Sequence, residues 1–318
     1  MEKQKSSKNK TINLSVEEGK TFLERCISDS EKKSAYSTEN ITDKIILGNS
    51  LEVCKKLPAS FVDLMIADPP YNIDKNFNGY NFYKMSCEKY EKYTEEWISA
   101  VKPLLKPDAS FYVCCDWKSS SAIETVLRRH FFVQNRITWQ REKGRGAKSN
   151  WKNAMEDIWF CTMNEKKFTF NTENVKQRRK VIAPYKENGK PKDWTETENG
   201  KFRDTFPSNF WDDISVPYWS MPENTAHPTQ KPEKLIAKLI LASSNKGDFV
   251  FDPFAGSGST AVTAFKLERN FCGIEMNEQY CVWAQKRLEM AKNDKTIQGY
   301  ADGVFWERNT SALQNNYR

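Results

Sequence analysis

Asp68-Pro69-Pro70-Tyr71 ends an apolar run, Phe61 to Ala67, that reads as a buried strand. Two successive prolines cannot continue a sheet ladder, so Asp68 is expected at the carboxyl end of that strand. The fixed φ angles of Pro69 and Pro70 hold nearby hydrogen-bond acceptors rigid, and Tyr71 adds an aromatic face. Taken alone, the four residues read first as a strand-terminating turn. A second constellation, Asp252-Pro253-Phe254-Ala255-Gly256-Ser257-Gly258-Ser259-Thr260, lies between an expected strand (Asp248 to Pro253) and a helix from Ser259. A glycine turn in that setting lets a ligand approach the backbone. No lysine follows Gly258, which excludes a P-loop, and Ala261 breaks the dinucleotide pattern G-x-G-x-x-G. Glu275 closes the next expected strand, 17 residues after Gly258, where a carboxylate can accept hydrogen bonds from both hydroxyls of a ribose. Turn and glutamate alone fit a nucleoside site and an ordinary tight turn equally well.

A third motif, His227-Pro228-Thr229-Gln230-Lys231-Pro232, joins them, and with it D-P-P-Y decides between these readings. D-P-P-Y, the F-x-G-x-G of residues 254–258 and H-P-T-Q-K-P together resemble the signatures of the amino-methyltransferases, which methylate exocyclic amines of bases with S-adenosylmethionine. The resemblance spans roughly residues 44–290 and includes Gly48-Asn49-Ser50 after the first strand, where family members often carry aspartate or cysteine. The catalytic motif comes first, then a basic segment, then the cofactor motif, an order similar to the permuted beta class of restriction–modification and orphan DNA methyltransferases. The resemblance implies a Rossmann-like α/β fold: a seven-stranded, mostly parallel sheet with one antiparallel strand, helices on both faces and a small target-recognition lobe. It implies catalysis by Asp68, Pro69, Pro70 and Tyr71. It implies cofactor binding by Asn49, Asp68, His227, Thr229, Gln230, Lys231, Asp252, Phe254, Gly256, Ser257, Gly258, Thr260 and Glu275. Thr229 is expected to cap the following helix, with His227 a neutral donor and Lys231 a charge for the methionine carboxylate.

The chemistry fits the residue types. An aromatic amine is a poor nucleophile because its lone pair is delocalised into the ring. Asp68 or the Pro69 carbonyl can accept from the amino protons and localise that pair, and Tyr71 can stack on a base swung out of the duplex. D-P-P-Y is the adenine-N6 variant, so a site-specific adenine methyltransferase of the restriction–modification type is expected. Cytosine-N4, an RNA or protein-glutamine target, and a catalytically silent DNA-binding relative are the alternatives. A nucleotide-dependent oxidoreductase is disfavoured by the missing G-x-G-x-x-G.

Positioning these motifs requires an alternation of short apolar runs and helices, which indicates an α/β layered fold. Order is expected to begin at Lys44 to Leu47. Ser50 then caps a short helix, a helix runs from Tyr90 to Leu105, and strands follow at Ser110 to Cys115, Phe132 to Trp139 and Glu156 to Thr162. Domain limits are expected at 1–40 (a polar, mobile or loosely docked extension), 41–164 (catalytic half), 165–222 (recognition lobe), 223–292 (cofactor half) and 293–318 (irregular tail). Residues 165–205 carry eleven Lys/Arg against seven acids, with aromatics interleaved. Arg141, Lys143, Arg145, Lys176, Arg178, Arg179 and Lys180 are the expected DNA contacts. Base readout is expected between Arg141 and Ser220.

Composition is mildly basic and fits a polyanion partner. Of 318 residues, 49 are Lys or Arg and 42 Asp or Glu, a formal charge of +7. Eight cysteines without a C-x-x-C pair, and two histidines, predict neither metal nor disulfide. No uncharged apolar run reaches the about 18 residues of a membrane span, and the lysine-rich start is no signal-peptide core, so a cytoplasmic, nucleoid-associated bacterial protein is expected. The sequence leaves open the recognition site, a restriction endonuclease acting on that site without a stable complex, and a homodimer.

Overall fold

The structure, a computed structural model, describes residues 6–31, 34–141, 150–182, 185–197, 200–308 and 310. The strands in chain order are β1 (Ile27–Ser28), β2 (Lys44–Leu47), β3 (Val62–Ala67), β4 (Lys75–Phe77), β5 (Tyr80–Phe82), β6 (Leu105–Asp116), β7 (Phe132–Gln140), β8 (Met155–Thr162) and β9 (Gln177–Lys180). They continue with β10 (Lys186–Glu187), β11 (Lys190–Pro191), β12 (Thr195–Thr197), β13 (Gly200–Thr205), β14 (Phe210–Trp211), β15 (Phe249–Asp252), β16 (Asn270–Glu275), β17 (Tyr300–Ala301) and β18 (Val304–Trp306). The α-helices are α1 (Val16–Leu23), α2 (Thr38–Ile41), α3 (Ser50–Cys54), α4 (Cys87–Val101), α5 (Ser120–His130), α6 (Glu233–Ser243), α7 (Ser259–Lys266) and α8 (Glu278–Asn293).

The central sheet runs β1-β2-β16-β15-β3-β6-β8-β7-β14. Its seven longer strands are mostly parallel, and β8 is the antiparallel one, paired on both sides against β6 and β7. The two-residue strands β1 and β14 extend the sheet to nine, each joining its edge in parallel. Strands buried on both faces need continuous apolar runs, and Leu64, Met65, Ile66 and Ala67 of β3 are all at most 1% exposed. Helix α4 starts at a Ser86 cap that accepts from Lys89 N–H, and it buries Tyr90, Thr94, Trp97, Ile98 and Val101 along one face.

Helix α6 is buried on every side. Leu235, Ile236, Leu239 and Ile240 pack into the sheet core, while Ala237, Leu241 and Ala242 pack against Val175, Ile297 and Phe305. That second face carries a five-stranded sheet in the order β12-β13-β9-β18-β17. Between the two, Asp213 pairs with both Lys234 (2.7 Å) and Lys238 (2.8 Å).

Both chain ends differ from the sequence expectation. Residues 6–31 are folded onto the domain: Ser15 and Glu18 form a capping box, Phe22 of α1 is buried, and β1 pairs with β2. The 293–318 tail supplies β17 and β18 to the lobe sheet, with Phe305 and Trp306 fully buried. The sequence hid both segments because α1 packs on α8 and β18 pairs with β9, each distant in the chain. Two capping assignments also change. Asn49, not Ser50, caps α3 by accepting from Leu51 N–H at 2.9 Å, and the Ser50 hydroxyl bonds the Pro253 carbonyl. Pro232 occupies the cap of α6 in place of Thr229, and Glu223 Oε2 accepts from Glu233 N–H at 2.8 Å. Among the described residues, no helix is long and apolar enough to cross a membrane.

Candidate active site

Strands β2, β16, β15 and β3 are consecutive and parallel, so their carboxyl ends share one edge of the sheet. That edge is where open α/β sheets bind ligands. Asn49 follows β2, Glu275 ends β16, Asp252 ends β15 and Asp68 follows β3. Side chains scattered over 226 positions of sequence thus meet around one cavity of about 390 Å³.

The glycine turn shapes one side of the cavity. Gly256 (φ +53°) and Gly258 (φ +77°) both adopt left-handed backbone. A Cβ on Gly256 would sit 3.1 Å from His227 Nε2, and one on Gly258 would sit 2.6 Å from Ala284 Cβ. The turn wraps the Glu275 carboxylate, whose oxygens accept from Gly256 N–H and Asn277 N–H, each at 2.8 Å. Burial pushes Glu275 up to about 7, although the Asn277, Gly256 and Met276 amides pull it down. Burial also pushes Asp252 up to about 7, against the Thr260 hydroxyl and the Phe254 amide.

The opposite side is charged. Lys231 Nζ lies 2.7 Å from Asp68 Oδ2, 2.9 Å from the Tyr71 hydroxyl and 3.3 Å from Glu156 Oε2. Tyr71 donates its hydroxyl proton to Asp68 Oδ1 at 2.8 Å, and the Tyr71 hydroxyl oxygen lies 3.2 Å from Glu156 Oε2. Burial favours a neutral Lys231, yet Asp68 and Glu156 outweigh it and hold the ammonium above its ordinary range. Burial and the charges of Lys231, Arg287 and Lys75 push His227 down to about 3, so its ring is neutral at physiological pH. Its Nδ1 accepts from Thr229 N–H at 3.3 Å.

Not every expected residue faces the cavity with a free polar group. The carboxamide of Gln230 is spent on Thr225 and the Glu223 carbonyl, which ties the His227 loop together. The Ser257 carbonyl accepts from the buried Arg287 guanidinium at 2.8 Å. Lys231 faces Asp68 rather than standing free for a carboxylate. Among the expected DNA contacts, Arg141 pairs with Glu156, while Lys143 and Arg145 lie outside the described residues. Arg178 makes two 2.8 Å bonds to Asp204 and stacks over Trp306. Lys176 pairs with Glu173 at 2.6 Å, Arg179 donates to Gln177, and Lys180 is exposed.

Sequence reasoning missed Glu156, whose one local signal is a carboxylate opening an apolar strand. It also missed the β4–β5 hairpin, which contributes Lys75, Phe77, Tyr80 and Phe82 to the cavity wall. Asn78 and Gly79 make its tight turn with positive φ, and Asn78 exchanges hydrogen bonds with Asn277. Among the described residues, no group of His, Cys, Asp and Glu could hold a metal ion.

The cavity's three carboxylates, Asp68, Asp252 and Glu275, its backbone-lined turn and its neutral histidine suit a nucleoside-bearing cofactor. Fold and site together define a nucleoside-binding α/β enzyme of the class I methyltransferase type. Residues 62–286 match the family model of the N6/N4 DNA methylases, and the chain belongs to that family. It is 35% identical over 260 residues to the DNA adenine methyltransferase YhdJ of Escherichia coli (strain K12), covering 80% of this chain and 85% of that protein. It is 32% identical over 252 residues to the type II methyltransferase M.HpaI of Haemophilus parainfluenzae, covering 79% and 75%. A crystal structure of an M1.HpyAVI–SAM complex aligns with a TM-score of 0.51 and 27% identity, over 77% of this chain and 98% of that one. The cytosine-N4-specific PvuII methyltransferase shares the fold, with a TM-score of 0.55 at 16% identity over 79% and 92%. The protein is therefore a site-specific DNA methyltransferase that uses S-adenosylmethionine.

Proposed function

We propose that the enzyme methylates the N6 amine of an adenine flipped out of duplex DNA, with Asp68-Pro69-Pro70-Tyr71 as its catalytic motif. The observation that carries this reading is the Asp68 carboxylate, fixed at the strand edge beside the cavity that also holds Glu275 and the Gly256 turn. The 35% identity to a protein named as a DNA adenine methyltransferase supports adenine over cytosine.

When bound, S-adenosylmethionine supplies a methyl group already activated by its sulfonium. Glu275 would take the ribose hydroxyls, Asn49 and Phe254 the adenine end, and the 227–231 loop with Asp252, Ser257 and Thr260 the remainder. A neutral His227 would add no positive charge of its own to the cavity that takes the cationic cofactor. Asp68 and the Pro69 carbonyl accept from the target amine and localise its lone pair. The amine nitrogen would gain the methyl group as the sulfur–methyl bond of the sulfonium breaks to leave a neutral thioether, and Asp68 would take the amine's surplus proton and pass it to water. The prolines keep these acceptors from relaxing away, so positioning lowers the barrier. Tyr71 stacks on the base with its ring.

Duplex DNA is held, on this reading, by the lobe and by the segment from Arg141 onward, with Lys143, Arg145, Lys176, Arg179 and Lys180 as phosphate contacts. A type II role, protecting sites from an endonuclease that reads the same sequence, is supported by the likeness to M.HpaI. The test is incubation with genomic DNA and methyl-labelled cofactor, followed by nucleoside chromatography. N6-methyladenine is expected as the labelled product, and Asp68→Ala should yield none while still folding and binding DNA. Labelled N4-methylcytosine, or turnover by folded Asp68→Ala, overturns the reading.

A further inference from the structure

We propose that Glu156 is a positioning residue for methyl transfer, sharing the Lys231 ammonium with Asp68 so that Asp68 stays an oriented acceptor. This rests on the catalytic reading of Asp68 above. Lys231 has three N–H donors, and three oxygens surround it: Asp68 Oδ2, the Tyr71 hydroxyl and Glu156 Oε2. The ammonium is thereby locked in rotation as well as position. Glu156 is fixed in turn, because Arg141 holds its other oxygen. Glu156 sits behind Tyr71 and Lys231 with its side chain 4% exposed, whereas Asp68 is 22% exposed and lines the cavity.

Stability does not account for this arrangement. Buried ion networks are often matched or exceeded in stability by apolar residues of similar volume, because removing charges from water is costly. Electrostatics at the reacting atom does account for it. An ammonium paired with Asp68 alone would neutralise the carboxylate and weaken it as an acceptor for an uncharged amine. A second carboxylate on the far side draws the ammonium back and leaves Asp68 with acceptor strength toward the cavity. The Tyr71 hydroxyl, held between the two carboxylates, fixes the second Asp68 oxygen. Glu156 therefore acts on the amine through Lys231 and Tyr71 without touching it.

The test is a double-variant cycle on the full chain, with kcat, cofactor and DNA Kd, and Tm all measured. Glu156→Gln should lower kcat about 10- to 100-fold, the scale of a misplaced catalytic group, with both Kd values preserved; the Tm falls because Lys231 and Arg141 lose a buried partner, so kcat is read well below the variant's melting temperature. Adding Glu156→Gln to Lys231→Met should slow the enzyme no further than Lys231→Met alone, because groups that act as a unit are not additive. Wild-type kcat in Glu156→Gln overturns the proposal, as does a double variant whose losses multiply. A kcat loss that disappears when the variant is assayed well below its Tm, or that only follows weakened cofactor binding, also overturns it. Should Glu156→Gln fail to fold, Lys231→Met alone is decisive: the proposal expects lowered kcat at unchanged DNA affinity, and undiminished kcat refutes it. Failure of the underlying reading shows separately, as a wild-type product other than N6-methyladenine or as turnover by Asp68→Ala.

Discussion

Glu275, in the ribose role proposed for it, would link pH to ligand affinity. Its carboxylate is pushed up to about 7 by burial, and the amides that hold it position the oxygens toward the cavity. Ribose hydroxyls donate to an ionised carboxylate, so cofactor should bind the deprotonated form. Affinity for S-adenosylmethionine is therefore expected to rise between pH 6 and pH 8. Asp252, also pushed up to about 7, faces the same cavity and contributes in the same direction. Glu275→Gln should weaken binding at pH 8 by about 1–3 kcal/mol and make the pH dependence shallower, as read by titration calorimetry at several pH values. Equal slopes for the variant and the wild type would remove Glu275 from the ribose position. At this scale, Asp68, Gly256 and Glu275 were legible because the signal is local: a strand, its end and the turn that follows. Glu156 was not, since its meaning depends on Tyr71 and Lys231, 85 and 75 positions away.

At the scale of elements, the glycine turn sets the spacing of two helices. Gly258 caps α7 in a left-handed conformation and faces Ala284 of α8 with no room for a methyl group. Gly258→Ala must strain the backbone and push α8 away, and α8 begins immediately after Asn277 at the Glu275 site. A loss of about 1–3 kcal/mol in stability is expected, together with weaker cofactor binding, checked by denaturant unfolding and calorimetry. The lobe needs a different lesson. Its run of basic residues reads as a DNA face, yet Arg178 is tied to Asp204 in the next strand and lies over Trp306. Arg178→Ala should cost about 1 kcal/mol of stability, in line with a well-formed bidentate pair near the surface, and leave the salt dependence of DNA binding unaltered. Lys180→Ala should instead lower the log–log salt slope by about 0.9, as expected for one lost phosphate contact. The central strands and α4 to α8 were legible from apolar periodicity. The lobe strands were not, because they are short, charged and completed by β18 from more than 120 residues further on.

For the whole molecule, the buried ionisable groups make stability depend on pH in a direction the composition does not suggest. Glu275, Asp252 and Glu223 are each pushed up to about 7, in every case first by burial, and for Glu223 next by the Glu233 carboxylate. Unfolding returns each to its ordinary carboxylate value. Between those values and pH 7 the folded protein therefore holds protons that the unfolded chain has released. Their contribution to stability is present at low pH and is lost as pH rises through 7, by about 1.4 kcal/mol per group per pH unit within that window. Two groups oppose it. His227, held neutral and pushed down to about 3, loses stability for the fold as pH falls below its ordinary value. Lys238, pushed down to about 8 by burial despite Asp213, acts in the same sense as His227. Three carboxyls outweigh one imidazole and one amine between pH 8 and pH 6, because the imidazole has only begun to matter and the amine is nearly past its transition. The cofactor-free protein should therefore melt at a higher temperature at pH 6 than at pH 8. On the proposed ribose contact, saturating S-adenosylmethionine should narrow that gap, since a ligand that prefers the ionised form of Glu275 stabilises the fold most where that form dominates. Scanning calorimetry with and without cofactor at both pH values checks this. A higher melting temperature at pH 8 in the cofactor-free protein would mean that the three carboxyls do not share protons with the fold as their burial requires.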